Sequence, residues 1–232
     1  MKVIIFLYNG VTMLDAIGPY EVLKNMEDTE VLFVAEKTGE IKADSGFIDI
    51  NVKYNIDDIK DADILIIPGS TIGFMQEMKN ANVLNWIREV DKTTKWTTSV
   101  CTGSLLLASA GLLNGLKATS HWRVINLLSN FGAIATRERV IEQGKYITSS
   151  GVSAGIDMAL HLSNKLVGED QTKAIQLTIE YDPQPIFNSG NFSNAEEKIK
   201  KIAEKKLTED VKKELGLLGM IKNSKNILKL IK

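Results

Sequence analysis

Short unbroken apolar runs recur along the first half of the chain and stop at turn signals. Residues 3–8 end at Asn9-Gly10, residues 31–35 form a second run, and residues 63–69 end on Pro68-Gly69. Runs of this length, with no polar alternation inside them, predict strands buried on both faces. Between them the apolar spacing changes to three and four, which predicts helices over about 16–25, 81–92, 153–167 and 170–181. Residues 37–54 alternate around Gly39 and Gly46 and read as a hairpin or excursion. The run at 96–100 predicts a strand that ends at Cys101. After Gly111 the pattern predicts a short strand at 118–120 and a helix at 123–129. Residues 137–143 and 145–149 flank Gly144 as a second hairpin. Strands alternating with helices imply parallel βαβ units and a central sheet covered on both faces, an α/β fold whose ligands bind beyond the carboxyl ends of the strands.

The Pro-containing stretch 182–190 reads as a loop closing this core. Beyond it Ile199, Ile202, Leu207, Val211 and Leu215 keep helical spacing up to Gly216, and a shorter amphipathic piece follows. The expected organisation is an α/β domain over residues 1–192 and a helical extension over 193–232. In that extension lysines outnumber acids by eleven to six, yet the whole chain carries a net charge of −1 and 44% hydrophobic residues. That balance supplies a sizeable core and no general attraction to nucleic acid. One cysteine makes no internal disulfide, and no stretch is long enough to span a bilayer, so the expectation is a soluble cytoplasmic protein with no membrane partner.

That cysteine is the most informative residue. Cys101 stands where a β-prone run gives way to the small-residue, helix-prone run Thr-Gly-Ser-Leu-Leu-Leu-Ala. A strand-to-helix elbow exposes a nucleophile, and the unpaired N–H groups of the helix start favour a thiolate. The other reading of a lone cysteine is a small buried hydrophobe. Asp15, in the loop after the first strand, falls on the same sheet edge. It either caps the following helix or holds a proton against the sulfur as a general acid. Gly69 and Ser70 offer backbone N–H groups at the end of the third strand, Thr102 offers one after the cysteine, and Gly103 leaves room there. Together they predict an oxyanion or substrate-binding pocket. His121 precedes Trp122 and is the histidine better placed to approach the sulfur, whereas His161 lies in a helical run. One cysteine and two scattered histidines show no metal-ligand spacing.

Five segments in order, Asp15-Ala-Ile-Gly-Pro, Ile66-Ile-Pro-Gly-Ser, Val100-Cys-Thr-Gly-Ser, Lys117-Ala-Thr-Ser-His-Trp and Ser149-Ser-Gly-Val-Ser-Ala-Gly-Ile-Asp, resemble the ThiJ/PfpI superfamily over roughly residues 1–192. The resemblance implies a flavodoxin-like sandwich related to class I glutamine amidotransferases, usually a homodimer. The Asp-x-x-Gly-Pro loop and the Cys-Thr pair are most similar to the isonitrile hydratase branch. That branch implies hydration of an isonitrile to an N-substituted formamide, with Cys101 as nucleophile, Asp15 as acid, Thr102 bonded to the sulfur or intermediate, His121 in support, a small-molecule substrate and no cofactor. Peptidase branches carry histidine after the cysteine, where this chain has Thr102. Other readings are an amidase or a glyoxalase or deglycase acting through the same thiol, and a thiol stress sensor without turnover. A transcription regulator of this type needs a paired helix-turn-helix module, for which the forty residues after the core are too few.

Overall fold

The computed structural model describes residues 1–217. They fall into two compact units that divide after Glu180. In chain order the first unit holds β1 (Lys2–Leu7), α1 (Met13–Leu23), β2 (Glu30–Ala35), β3 (Gly39–Lys42), β4 (Asp49–Val52), β5 (Tyr54–Asn55) and β6 (Ile64–Ile67). It continues through α2 (Phe74–Glu77), α3 (Ala81–Asp91), β7 (Trp96–Val100), α4 (Gly103–Ser109), β8 (Lys117–Ala118), β9 (Ile134–Ala135), β10 (Val140–Gln143), β11 (Tyr146–Ser149), α5 (Ala154–Val167) and α6 (Glu169–Thr178). Seven strands form the main sheet in the order β10-β11-β7-β6-β1-β2-β5. Every pairing is parallel except β10 with β11.

The strand period decides which layer each side chain serves. Val3, Ile5, Leu7, Ile64 and Ile66 pack on one face with residues of α1 and α5. Ile4, Phe6, Leu65 and Ile67 pack on the other with residues of α3 and α4. Since β1 and β6 are covered on both sides, their sequences carry no polar alternation. Each fully buried isoleucine or leucine contributes on the order of 2 kcal/mol. At the amino edge of the sheet, buried Asp91 closes α3 onto β7 and β11. It accepts from Thr97 Oγ1 at 2.6 Å and Tyr146 Oη at 3.2 Å and pairs with Lys145 at 3.1 Å.

The carboxyl edge carries the loops that matter for chemistry. The chain leaves β1 toward β2 on one side and crosses to β6 and β7 on the other, so the direction of winding switches beside β1. The loops after β1, β6 and β7 therefore open on one crevice. The β3–β4 hairpin folds over the same edge as a separate two-stranded sheet: Val11 bridges Ala43, and Gly10 N–H donates to Lys42 O at 2.8 Å.

Several elements differ from their sequence expectation. α1 starts at Met13, with Thr12 at the cap position, so Asp15 lies inside the first turn and caps nothing. Residues 125–131 form a 3₁₀ helix rather than an α-helix, closed by Gly132 at φ 79°. The short elements β5 and α2 had no periodic signal, and α2 is started by Ser70 Oγ accepting the Phe74 N–H at 2.6 Å. The stretch 182–190 is irregular as expected, but Ile186 and Phe187 are exposed and do not close a core.

The second unit, taken by itself, contains α7 (Glu197–Leu217). Near its start Lys200 pairs with Glu197 at 2.7 Å and lies over the Phe192 ring. The amphipathic piece expected after Gly216 lies largely outside the described residues. Among those described, no helix is long and apolar enough to cross a membrane.

Gly103 marks the tightest contact under the elbow, since a Cβ there would stand 2.0 Å from Ile67 O. Gly103→Ala is expected to destabilise the fold by about 3 kcal/mol through overpacking. Gly190→Ala, in open space, should stay within about 0.5 kcal/mol of the parent; urea unfolding midpoints compare the two.

Candidate active site

Cys101 turns the chain from β7 into α4 with φ 58°, a left-handed conformation that a side chain rarely takes. Its carbonyl is held by two hydroxyls, Ser104 Oγ at 3.2 Å and Ser120 Oγ at 3.0 Å, and its N–H donates to Ser149 O and Ser150 O. The elbow expected from the sequence is present, but it does not expose the thiol. Cys101 is 4% exposed. The loop after β6 lies against it, so close that a Cβ on Gly69 would stand 2.8 Å from Cys101 Cβ and 2.5 Å from Thr102 N.

Asp15 is fully buried. Its Oδ2 accepts the Gly69 N–H at 2.9 Å, while the buried Oδ1 has no hydrogen-bond partner. The Cys101 thiol is the other group that acts on this carboxyl. Burial raises the Asp15 pKa to about 7, against the Gly69 and Cys101 hydrogen bonds and with help from the charge of Asp44. Burial also pushes the Cys101 thiol well up, as does the charge of Asp15, while the N–H groups of Val152 and Thr102 bonded to the sulfur pull it back. Burial thus disfavours the charged form of both groups.

The pocket donors expected from the sequence are otherwise engaged. The Gly69 N–H is committed to Asp15, and the Ser70 N–H donates to Thr102 Oγ1 at 2.8 Å. The Thr102 hydroxyl in turn donates to Ser70 O at 3.0 Å, so the side chain stitches two loops together and only the backbone N–H reaches the sulfur. Gly103 serves the approach of α4 to β6 rather than a ligand. These corrections share one cause: the three loops are packed so closely that their backbone groups satisfy one another.

His121 lies under the turn before α5, where a Cβ on Gly151 would stand 2.8 Å from its ring. Its Nδ1 accepts the Arg123 N–H at 3.4 Å, and burial, with Arg123 beside it, lowers its pKa to about 4. Burial favours its neutral form, and the N–H groups that act on the sulfur are those of Thr102 and Val152. His161 pairs with Glu142 on the surface. Among the described residues no group of three or more acidic, histidine or cysteine side chains could hold a metal ion.

Sequence reasoning missed two contributors. Val152 holds φ 30°, a strained value for a β-branched residue, and its N–H is turned onto the sulfur. Ser120, next to the histidine that drew attention, fixes the elbow carbonyl. The small residues Ser149-Ser-Gly flanking Val152 were the available signal for the first.

With a buried cysteine elbow, an acid from the first loop and a flavodoxin-like sheet in place, the chain belongs to the DJ-1/PfpI family, whose pattern matches residues 1–165. It is similar to an isonitrile hydratase of Pseudomonas putida, 38% identical over 82% of each chain. A ThiJ/PfpI family protein of Pseudomonas syringae superposes with a TM-score of 0.86 at 33% identity, covering 94% of this chain and 90% of that one. A more distant relative is a protein named Deglycase TK1284 from Thermococcus kodakarensis, 27% identical over 64% of this chain and 89% of its own.

The raised Asp15 pKa fixes a stability trend. The folded carboxyl keeps its proton up to about 7, whereas the unfolded one loses it near 3.8, so burying Asp15 costs nothing below that range and increasingly more as pH rises through it. Asp15→Asn is therefore expected to unfold at higher urea than the parent at pH above about 7, by about 2 kcal/mol or more, and to lose that advantage near pH 4. A stability difference independent of pH would refute the buried acid.

Proposed function

We propose that this protein hydrates isonitriles to N-substituted formamides, with Cys101 as nucleophile and Asp15 as general acid, as a homodimer in the cytoplasm and without a cofactor. The observation that carries the reading is the buried, unpartnered Asp15 Oδ1 beside the sulfur of the chain's single cysteine. A buried carboxyl oxygen without a partner is costly as an anion and cheap as an O–H directed at sulfur.

The chemistry follows from that proton. The sulfur bonds to the terminal carbon of the isonitrile, and Asp15 delivers its proton to the same carbon, giving a thioimidate. Water then bonds to that carbon, passing one proton to the nitrogen and the other to the Asp15 carboxylate. The carbon–sulfur bond breaks and releases the thiolate and the formamide, whose atoms are those of isonitrile plus water. Attack on an isonitrile develops charge on carbon, which a proton quenches. Attack on an amide develops charge on oxygen, which needs free N–H donors. Because Gly69 and Ser70 N–H are already engaged, the site supports the first chemistry over the second. The resemblance to the Pseudomonas hydratase supports the same reading.

Incubating the purified protein with an aryl isonitrile and following formamide by absorbance tests it. Wild type is expected to turn over, Asp15→Asn to lose about 10²- to 10⁴-fold in kcat/KM, and Cys101→Ala to lose about 10⁴-fold or more. No formamide from wild type would overturn the reading, and methylglyoxal loss in its place would assign a glyoxalase-type reaction on reactive carbonyls.

A further inference from the structure

Two buried hydrogen bonds meet on one peptide unit of the loop after β6. The Pro68 carbonyl accepts the Tyr8 hydroxyl at 3.1 Å, and the N–H across the same peptide bond, that of Gly69, donates to Asp15 Oδ2 at 2.9 Å. A peptide group is planar and rigid, so whatever fixes its carbonyl also aims its N–H.

The sheet puts Tyr8 in place for this. β1 and β6 pair in parallel, with Ile5 opposite Ile66, so the residue just past β1 meets the loop just past β6. Tyr8 is 3% exposed, and its ring stacks on Phe6 with centroids 5.7 Å apart. On another side a Cβ on Gly73 would stand 3.3 Å from the ring. Burial pushes the phenol pKa well above its usual value, against the Ser70 side chain, so the hydroxyl stays a donor.

The Pro68–Gly69 peptide needs such a hold. A Cβ at Gly69 would stand 2.5 Å from Thr102 N and 2.7 Å from Thr102 Oγ1, so the position requires glycine, which leaves the preceding peptide free to rotate. Rotation carries the N–H away from Asp15. The next peptide is tied at both ends by other residues: Gly69 O accepts the Thr12 N–H at 2.9 Å, and the Ser70 N–H donates to Thr102 Oγ1 at 2.8 Å. Of the two bonds on the Pro68–Gly69 peptide, losing that of Tyr8 leaves the amide oriented by the very acid it orients.

We propose that Tyr8 is a positioning residue for the general acid: its hydroxyl fixes the Pro68–Gly69 peptide, whose N–H holds the Asp15 carboxyl in the orientation from which it delivers its proton. This deepens the hydratase reading and rests on the acid role of Asp15, but the hold is measurable without substrate. Of the four prolines, Pro68 alone is followed by glycine. Protein labelled with carbonyl carbon-13 proline and nitrogen-15 glycine therefore has one amide with a one-bond carbon–nitrogen coupling, that of Gly69. Nuclear magnetic resonance then reads its exchange with deuterium beside that of the other glycine amides.

In the parent the Gly69 amide is expected to be protected. In Tyr8→Phe, which keeps the ring, it is expected to exchange about 2- to 10-fold faster, the size of one net hydrogen bond, while the other glycine amides keep their rates. The kcat for formamide is expected to fall by a similar factor with KM unchanged. A parent Gly69 amide that exchanges as fast as an open loop would overturn the proposal, as would a Tyr8→Phe rate equal to the parent's. So would equal acceleration at every protected glycine, which assigns Tyr8 to general packing, or faster Gly69 exchange with kcat unchanged, which detaches the hold from the acid's work. A parent that makes no formamide, with Gly69 responding to Tyr8→Phe as described, would sink the hydratase reading and leave the hold of Tyr8 on the Asp15 amide standing.

Discussion

The constraint on which the site depends is the burial of a thiol and a carboxyl in contact at the end of a parallel sheet. Burial raises the pKa of both, so neither group carries a charge comfortably there. Two residues sit at positive φ to make this possible, Cys101 at 58° and Val152 at 30°. Each such conformation costs on the order of 1 to 3 kcal/mol. The hydroxyls of Ser104 and Ser120 on the Cys101 carbonyl offset part of that, at about 1 kcal/mol each. The conformation persists because β7 and the start of α5 over-determine it from both sides.

Close packing of the loops decides which chemistry remains available. Gly69 approaches the elbow to a distance that no side chain would permit, and its amide then has only one acceptor within reach, the Asp15 carboxyl. Ser70 and Thr102 exchange two hydrogen bonds in the same crevice. An enzyme that stabilises an oxyanion keeps such donors free. Here they are used to hold the Asp15 and Cys101 loops in register.

The sequence made the layers legible wherever burial was complete on both faces. β1 and β6 read directly because every position is apolar, and β7 because it ends abruptly at Cys101. The elements that escaped, β5, α2 and β9, are two, four and two residues long and carry no period to detect. The cysteine and Asp15 were legible as residues on a shared sheet edge. What Asp15 does locally was not, because Thr12 begins the helix earlier than the apolar spacing suggests. Backbone partners were the least legible of all. Nothing in Pro68-Gly69-Ser70 records that its amides face Asp15 and Thr102, and nothing near residue 101 records a donor fifty positions later. The histidine drew attention by its chemistry, while the serine before it makes the contact.

Parallel strands explain why these partners lie so far apart in sequence. Each loop at the carboxyl edge is separated from the next by a full crossover, so a site built there gathers residues 15, 69, 101 and 152 from four separate returns of the chain. Local propensity cannot align them; the register of β1 with β6 and of β6 with β7 does. A shift of one residue in either pairing would turn every inward side chain of that strand to the opposite layer. The sheet core therefore fixes the separation between the Asp15 and Cys101 loops.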